Sequence, residues 1–143
     1  MVEAYVLIVD DEKEFLEGIS ERLRNRNFAV DTATSGDEAL QKIQGRVYDA
    51  VVLDLKMPGL DGLATLRQAL AKKPDLQIIL LTGYATVQSG IEAIKEGALD
   101  FLEKPVDLDT LVTKICQGKE RRLELDAESR EEAVREALKR YGW

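Results

Sequence analysis

Five short apolar runs alternate along this chain with five amphipathic segments, and few architectures accept that order. The runs are residues 5–9, 28–33, 50–53, 77–81 and 100–102. The first, third and fourth are nearly continuous Val, Ile and Leu, the composition of parallel strands buried on both faces. Residues 28–33 alternate instead, with Phe28, Val30 and Thr32 on one side, which predicts an edge strand. Between the runs, apolar residues recur at helical spacing: Phe15, Ile19 and Leu23; Ala39, Leu40 and Ile43; Leu63, Leu66 and Leu70; Val87, Ile91, Ile94 and Ala98; Leu108, Leu111, Val112 and Ile115. Ser35 followed by Glu38 reads as a capping box opening the second helix, and Pro74 stops the third. Such alternation predicts a parallel sheet covered by helices on both faces through right-handed crossovers. In sheets of that kind the working site lies at the carboxyl ends of the strands.

Composition narrows the chemistry available at that edge. The chain has 143 residues, 45% hydrophobic and 33% charged, which suits one globular domain. No apolar run approaches the roughly 20 residues that span a bilayer, and the N-terminus lacks the layout of a signal peptide. The expectation is a cytoplasmic protein without membrane contact. A net charge of −7 argues against direct nucleic-acid binding, which needs a basic face. The single Cys116 cannot form an internal disulfide and reads as a small apolar side chain. The absence of histidine removes a Ser-His-Asp triad, a His zinc ligand and a phosphohistidine carrier from this chain. Carboxylates, hydroxyls, lysine and metal remain.

Those residue types gather at the strand ends. Asp10 and Asp11 close the first run, Asp54 closes the third, Thr82 follows the fourth and Lys104 the fifth. Each has a plain alternative: Asp10 and Asp11 as turn and cap residues, Asp54 as a turn residue before Pro58-Gly59, Thr82 as a helix cap, Lys104 as a solvated loop charge. Their convergence on one sheet edge favours a common site. Converging carboxylates repel one another unless a divalent cation or protons offset them. The set suits phosphoryl transfer to a carboxylate, with Asp54 as nucleophile, Asp10 and Asp11 holding Mg²⁺, Lys104 as a point charge on one phosphoryl oxygen and Thr82 donating to another. Gly83 would leave access for the incoming donor.

Four segments carry a family resemblance: Val-Asp-Asp at 9–11, Leu-Asp-Leu-Lys-Met-Pro-Gly-Leu-Asp-Gly at 53–62, Leu-Thr-Gly-Tyr at 81–84 and Gly-Ala-Leu-Asp-Phe-Leu-Glu-Lys-Pro at 97–105. Over roughly residues 4–118 the chain resembles the receiver domain of two-component response regulators. The resemblance implies a flavodoxin-like (βα)5 three-layer sandwich with strand order 2-1-3-4-5. It implies that Asp54 accepts a phosphoryl group from a sensor histidine kinase or phosphotransfer protein. It further implies Mg²⁺ on Asp11, Asp54 and the Lys56 backbone carbonyl, with Asp10 acting mainly through water, and a cis Lys104-Pro105 bond. Thr82 would be drawn to the phosphoryl group and Phe101 would turn inward. Many relatives carry Tyr at the Phe101 position; Phe keeps the bulk and lacks the hydroxyl. Output would pass through the fourth helix, fifth strand and fifth helix to a protein target or to self-association. Tyr84 and Lys56 would limit water access to the phosphoryl group.

Residues 1–118 are expected to form the receiver and residues 119–143 a charged helical extension or linker. In that extension Glu131/Arg135 and Glu136/Arg140 are spaced i,i+4, in the favourable order. Leu123, Ala127, Arg130, Val134, Ala137 and Tyr141 make a poor heptad seam, so solvent exposure and a partner-binding role both stay open. The extension is too short for an output domain, which leaves a stand-alone receiver or part of a longer regulator. Two enzyme-like alternatives fit worse. A haloacid-dehalogenase-type phosphatase needs a second Asp two residues after its nucleophile, where Lys56 stands. A flavodoxin would place phosphate against Asp10 and Asp11, which repel it. A receiver that never accepts phosphate is disfavoured by the complete residue set.

Overall fold

The structure, a computed structural model, describes residues 2–55, 61–83 and 87–142. Lys56, Met57, Pro58, Gly59, Tyr84 and Trp143 lie outside them. Five parallel strands, β1 (Tyr5–Val9), β2 (Ala29–Ala33), β3 (Ala50–Leu53), β4 (Ile78–Thr82) and β5 (Asp100–Glu103), form one sheet in the order β2-β1-β3-β4-β5. The helices between and after them are α1 (Lys13–Asn25), α2 (Gly36–Gly45), α3 (Gly62–Lys72), α4 (Val87–Lys95) and α5 (Leu108–Arg140). This is the flavodoxin-like arrangement, with β2 at an edge as its alternation predicts.

Because side chains of a strand alternate between faces, the sheet divides the core in two. Leu7, Val9, Val51, Leu53, Ile78 and Leu80 meet Ala39, Leu40 and Ile43 of α2, Leu66 and Ala69 of α3, and Ala93 of α4. Val6, Ile8, Ala50, Val52, Ile79 and Leu81 meet Leu16, Ile19 and Leu23 of α1 and Leu111 and Ile115 of α5. Most of these strand residues are at most 1% exposed. Truncating one such Leu or Ile to Ala costs about 2–5 kcal/mol, so strand register is strongly enforced.

Where elements end differently from the sequence reading, a local bond explains the shift. β2 begins at Ala29 because Phe28 belongs to the end of α1. There Asn27 takes a left-handed φ of 69°, its N–H donates to the Arg24 carbonyl at 3.0 Å, and the Phe28 N–H donates to the Leu23 carbonyl at 3.1 Å. Phe28 and Leu23 are both buried, the apolar contact that accompanies such a helix end. β4 runs one residue later than its apolar run, and so includes Thr82. The Ser35 Oγ accepts the Glu38 N–H at 3.2 Å, while the Glu38 carboxylate returns to the N–H and hydroxyl of Thr34 rather than to Ser35. Asp61 and Asp107 cap α3 and α5 by accepting from Ala64 and Thr110.

α4 departs from its expected apolar stripe. Ala93 is buried, whereas Ile91 and Ile94 are 49% and 46% exposed. Among the described residues of α4, the small Gly90 and Ala93 face the sheet: a Cβ on Gly90 would stand 3.5 Å from the Phe101 ring. Periodicity weighted by side-chain size picks out the isoleucines, but close packing of a short helix selects Gly90 and Ala93. α5 is a single helix of 33 residues that continues through residue 118 without a break. From residue 127 to residue 142 every residue is exposed, including Val134 and Tyr141. No helix among the described residues is long and apolar enough to cross a membrane.

Candidate functional site

Strand register builds the site. Val9 pairs with Leu53, so the residues that follow, Asp10 and Asp54, leave the sheet side by side. Their amides stay tied to it: the Asp10 N–H donates to the Ala33 carbonyl at 3.1 Å and the Asp54 N–H to the Val9 carbonyl at 3.0 Å. On the other flank Thr82 pairs with Glu103, and the Lys104 N–H donates to the Thr82 carbonyl at 2.9 Å. The Lys104-Pro105 bond is cis. Behind Asp54 the chain returns as α3 at close range. The Gly62 N–H donates to the Leu55 carbonyl at 2.9 Å, and a Cβ on Gly62 would stand 2.5 Å from the Asp54 carbonyl oxygen. Only glycine allows that approach, which pins the backbone beside Asp54.

Lys104 joins the acidic groups. Its Nζ donates to Asp10 Oδ2 at 2.5 Å and lies 3.7 Å from Asp54 Oδ2 and 3.6 Å from Glu12 Oε1. The other Asp10 oxygen accepts the Glu12 N–H at 2.9 Å. The side chains of Asp10 and Asp54 are 2% and 6% exposed, that of Lys104 13%. Below the ammonium lies the ring of Phe15, its centroid 4.0 Å from Nζ. Burial pushes the Asp10 carboxyl above its ordinary value, aided by the Asp54 charge and opposed by the bonds from Lys104 and Glu12. Burial alone would lower Lys104, but the hydrogen bond to Asp10 and the charges of Asp10, Asp54 and Glu12 outweigh it and raise that group.

Carboxylate oxygens of Asp10, Glu12 and Asp54 lie within 4.8 Å of one another. Among the described residues the Lys104 ammonium faces three carboxylates, and burial still holds the Asp10 carboxyl above its ordinary value. Hard oxygen donors with excess negative charge are the set a divalent cation such as Mg²⁺ takes. The residues fit a metal.

Of the residues expected from the sequence, Asp10, Asp54 and Lys104 come together, and Thr82, fully buried at the end of β4, adjoins Lys104 through its backbone. Asp11 is exposed and outside the three-carboxylate group. Lys56 and Tyr84 lie outside the described residues. Phe101, half-buried on β5, packs against the core and Gly90 rather than against the carboxylates. A Cβ on Gly83 would meet nothing within 4 Å among the described residues. Glu12 and Phe15 were not expected at the site. Glu12 enters because α1 starts immediately after β1, and Phe15 because the first turn of that helix passes under Lys104.

Residues 6–116 match the family model for the response regulator receiver domain. The transcriptional regulatory protein ZraR of Escherichia coli (strain K12) is 35% identical over 124 residues, covering 87% of this chain and 28% of that protein. The C4-dicarboxylate transport transcriptional regulatory protein DctD of Rhizobium meliloti is 36% identical over 117 residues, covering 82% of this chain and 25% of that protein. The chain thus spans about a quarter of the length of these regulators. The crystal structure of a response regulator receiver domain protein from Clostridium thermocellum superposes with a TM-score of 0.81 at 35% identity, covering 85% of this chain and 98% of that one.

Proposed function

The chain belongs to the response regulator receiver domain family, and on that footing we propose that it is a switch phosphorylated on Asp54 by a sensor histidine kinase or phosphotransfer protein. The observation that carries this reading is the pairing of Val9 with Leu53, which leaves Asp10 and Asp54 sharing one lysine at the carboxyl edge of the sheet. The donor imidazole lies outside these 143 residues, which include no histidine. An Asp54 carboxylate oxygen attacks phosphorus, the O–P bond forms as the P–N bond breaks, and the bond pair returns to the ring nitrogen, so that a donor protonated on its other ring nitrogen leaves as neutral imidazole. Lys104, already 3.7 Å from Asp54, supplies positive charge to a phosphoryl oxygen. The Thr82 hydroxyl donates to another.

Asp54 and the acidic residues that follow β1, Asp10 and Asp11, would hold Mg²⁺ with the Lys56 carbonyl, and Glu12 adds negative charge beside them. When bound, the cation neutralises phosphoryl oxygens. Reorientation of Thr82 and Phe101 then alters the face formed by α4, β5 and α5, where Ile91 and Ile94 offer exposed apolar surface to a protein target or a second copy.

The test is intact-mass analysis after treatment with a small phosphodonor and Mg²⁺. One phosphoryl mass is expected on the wild type, labile to hydroxylamine, and none on Asp54→Asn. Persistent labelling of the variant would refute the assignment.

A further inference from the structure

The opposite edge of the sheet holds a third buried carboxylate, one that the phosphorylation chemistry does not use. Asp49, 4% exposed, stands immediately before β3. Its N–H donates to the Tyr5 carbonyl at 2.7 Å, and its Oδ2 accepts the Tyr5 N–H at 2.8 Å. Asp49 therefore ties together the amino ends of β1 and β3, the two strands whose other ends carry Asp10 and Asp54. Its remaining oxygen, Oδ1, accepts from Nε and Nη2 of Arg122 at 3.0 and 2.6 Å. The guanidinium is held from its other side by Asp126, which accepts from Nη1 at 2.9 Å.

Arg122 lies on α5, six residues beyond the last one that matches the receiver family. Neighbouring contacts show the helix seated there. Gly118 is buried, and a Cβ on it would stand 3.2 Å from the Gln77 Cβ. The Lys119 ammonium donates to the Glu3 carbonyl at 2.5 Å. Beyond Asp126 every described residue is exposed.

We propose that Arg122 is a latch: by neutralising buried Asp49 it makes α5 through Asp126 one body with the central strands, and so sets the direction in which residues 127–140 leave the domain. The reasoning is electrostatic. A carboxylate removed from water tolerates its charge only while a counter-ion and donors face it. If α5 lifted from this edge, Asp49 would keep the Tyr5 N–H and lose its cation. The forked guanidinium also fixes orientation where an ammonium would supply only charge. The working unit on this reading extends about three helical turns past the family match. It stands independently of whether Asp54 accepts phosphate.

The test uses the full chain carrying Arg122→Gln, Asp49→Asn, both, or Arg122→Lys, and measures amide hydrogen exchange by mass spectrometry. Arg122→Gln, whose side chain is partly exposed, is the variant expected to fold in any case. It should exchange at least ten-fold faster across residues 119–126 while residues 108–115 keep wild-type protection. The double variant should exchange no faster than the faster single variant, and Arg122→Lys should fall between. Spin labels replacing Gln44 and Glu136 should report a broader distance distribution in Arg122→Gln. Unchanged protection at 119–126, or effects of the two single variants that multiply in the double, would overturn the latch.

Discussion

The two ends of the sheet solve one problem in opposite ways. Each buries an aspartate at an end of the central strands and answers it with a cation from a distant part of the chain. At the carboxyl edge Lys104 serves Asp10, Asp54 and Glu12 with a single nitrogen, and the Asp10 carboxyl is still pushed up by burial. At the amino edge Arg122 serves Asp49 with two nitrogens and turns the third to Asp126. A point charge shared among three carboxylates leaves room for another cation and for an incoming anionic group. A forked group with all three nitrogens on two carboxylates is instead fixed in orientation. The first arrangement suits chemistry that must change state and the second suits an anchor, although both are buried ion pairs.

Removing each cation in turn separates the two edges most clearly. Arg122→Gln strands a buried carboxylate and should lower unfolding stability by about 3 kcal/mol, with no recovery on adding Mg²⁺. Lys104→Met should cost about 2 kcal/mol in metal-free solution, a loss that millimolar Mg²⁺ reduces by at least half because the metal takes over the charge. Urea titrations with Mg²⁺ and with chelator measure both, and equal Mg²⁺ responses would erase the distinction. The next effect depends on pH. Because the folded value of Asp10 is raised above 3.8, the folded state holds its proton more tightly than the unfolded chain. Its contribution therefore falls as pH rises from 3.8 through that folded value, then levels. A pH series of urea midpoints in chelator should show that decline in wild type relative to Asp10→Asn, and parallel curves would contradict it. The smallest effect concerns Phe15. Replacing it with Leu keeps an apolar side chain but removes the aromatic face under Lys104, worth about 0.5–1 kcal/mol. The same urea titration should show a loss of that size in Phe15→Leu and near wild-type stability in Phe15→Tyr.

The carboxyl edge was largely legible from the residues because its information is local. Apolar runs of strand length end in acidic residues, and β1 and β3 coincide with their runs. Once the runs are parallel neighbours, Asp10 and Asp54 must emerge together. Glu12 and Phe15 were harder to foresee, because their place depends on how tightly α1 follows β1. The face of α4 was misread since Gly90 and Ala93, the residues that make close contact, carry little hydrophobic weight. The amino edge was not legible at all. Asp49 and Arg122 are 73 positions apart, and no period, cap or turn signal relates them. Side-chain pairing across that distance follows from where α5 lands on the sheet, which the pattern of a single helix does not encode.

The contact between Lys119 and Glu3 carries one more consequence. It places the way into this domain and the way out of it on a common side, with the acidic pocket at the far end of the strands. Neighbouring polypeptide can be joined before residue 3 or after α5 without crossing the pocket's mouth, so the domain can be spliced into other proteins while the pocket stays open.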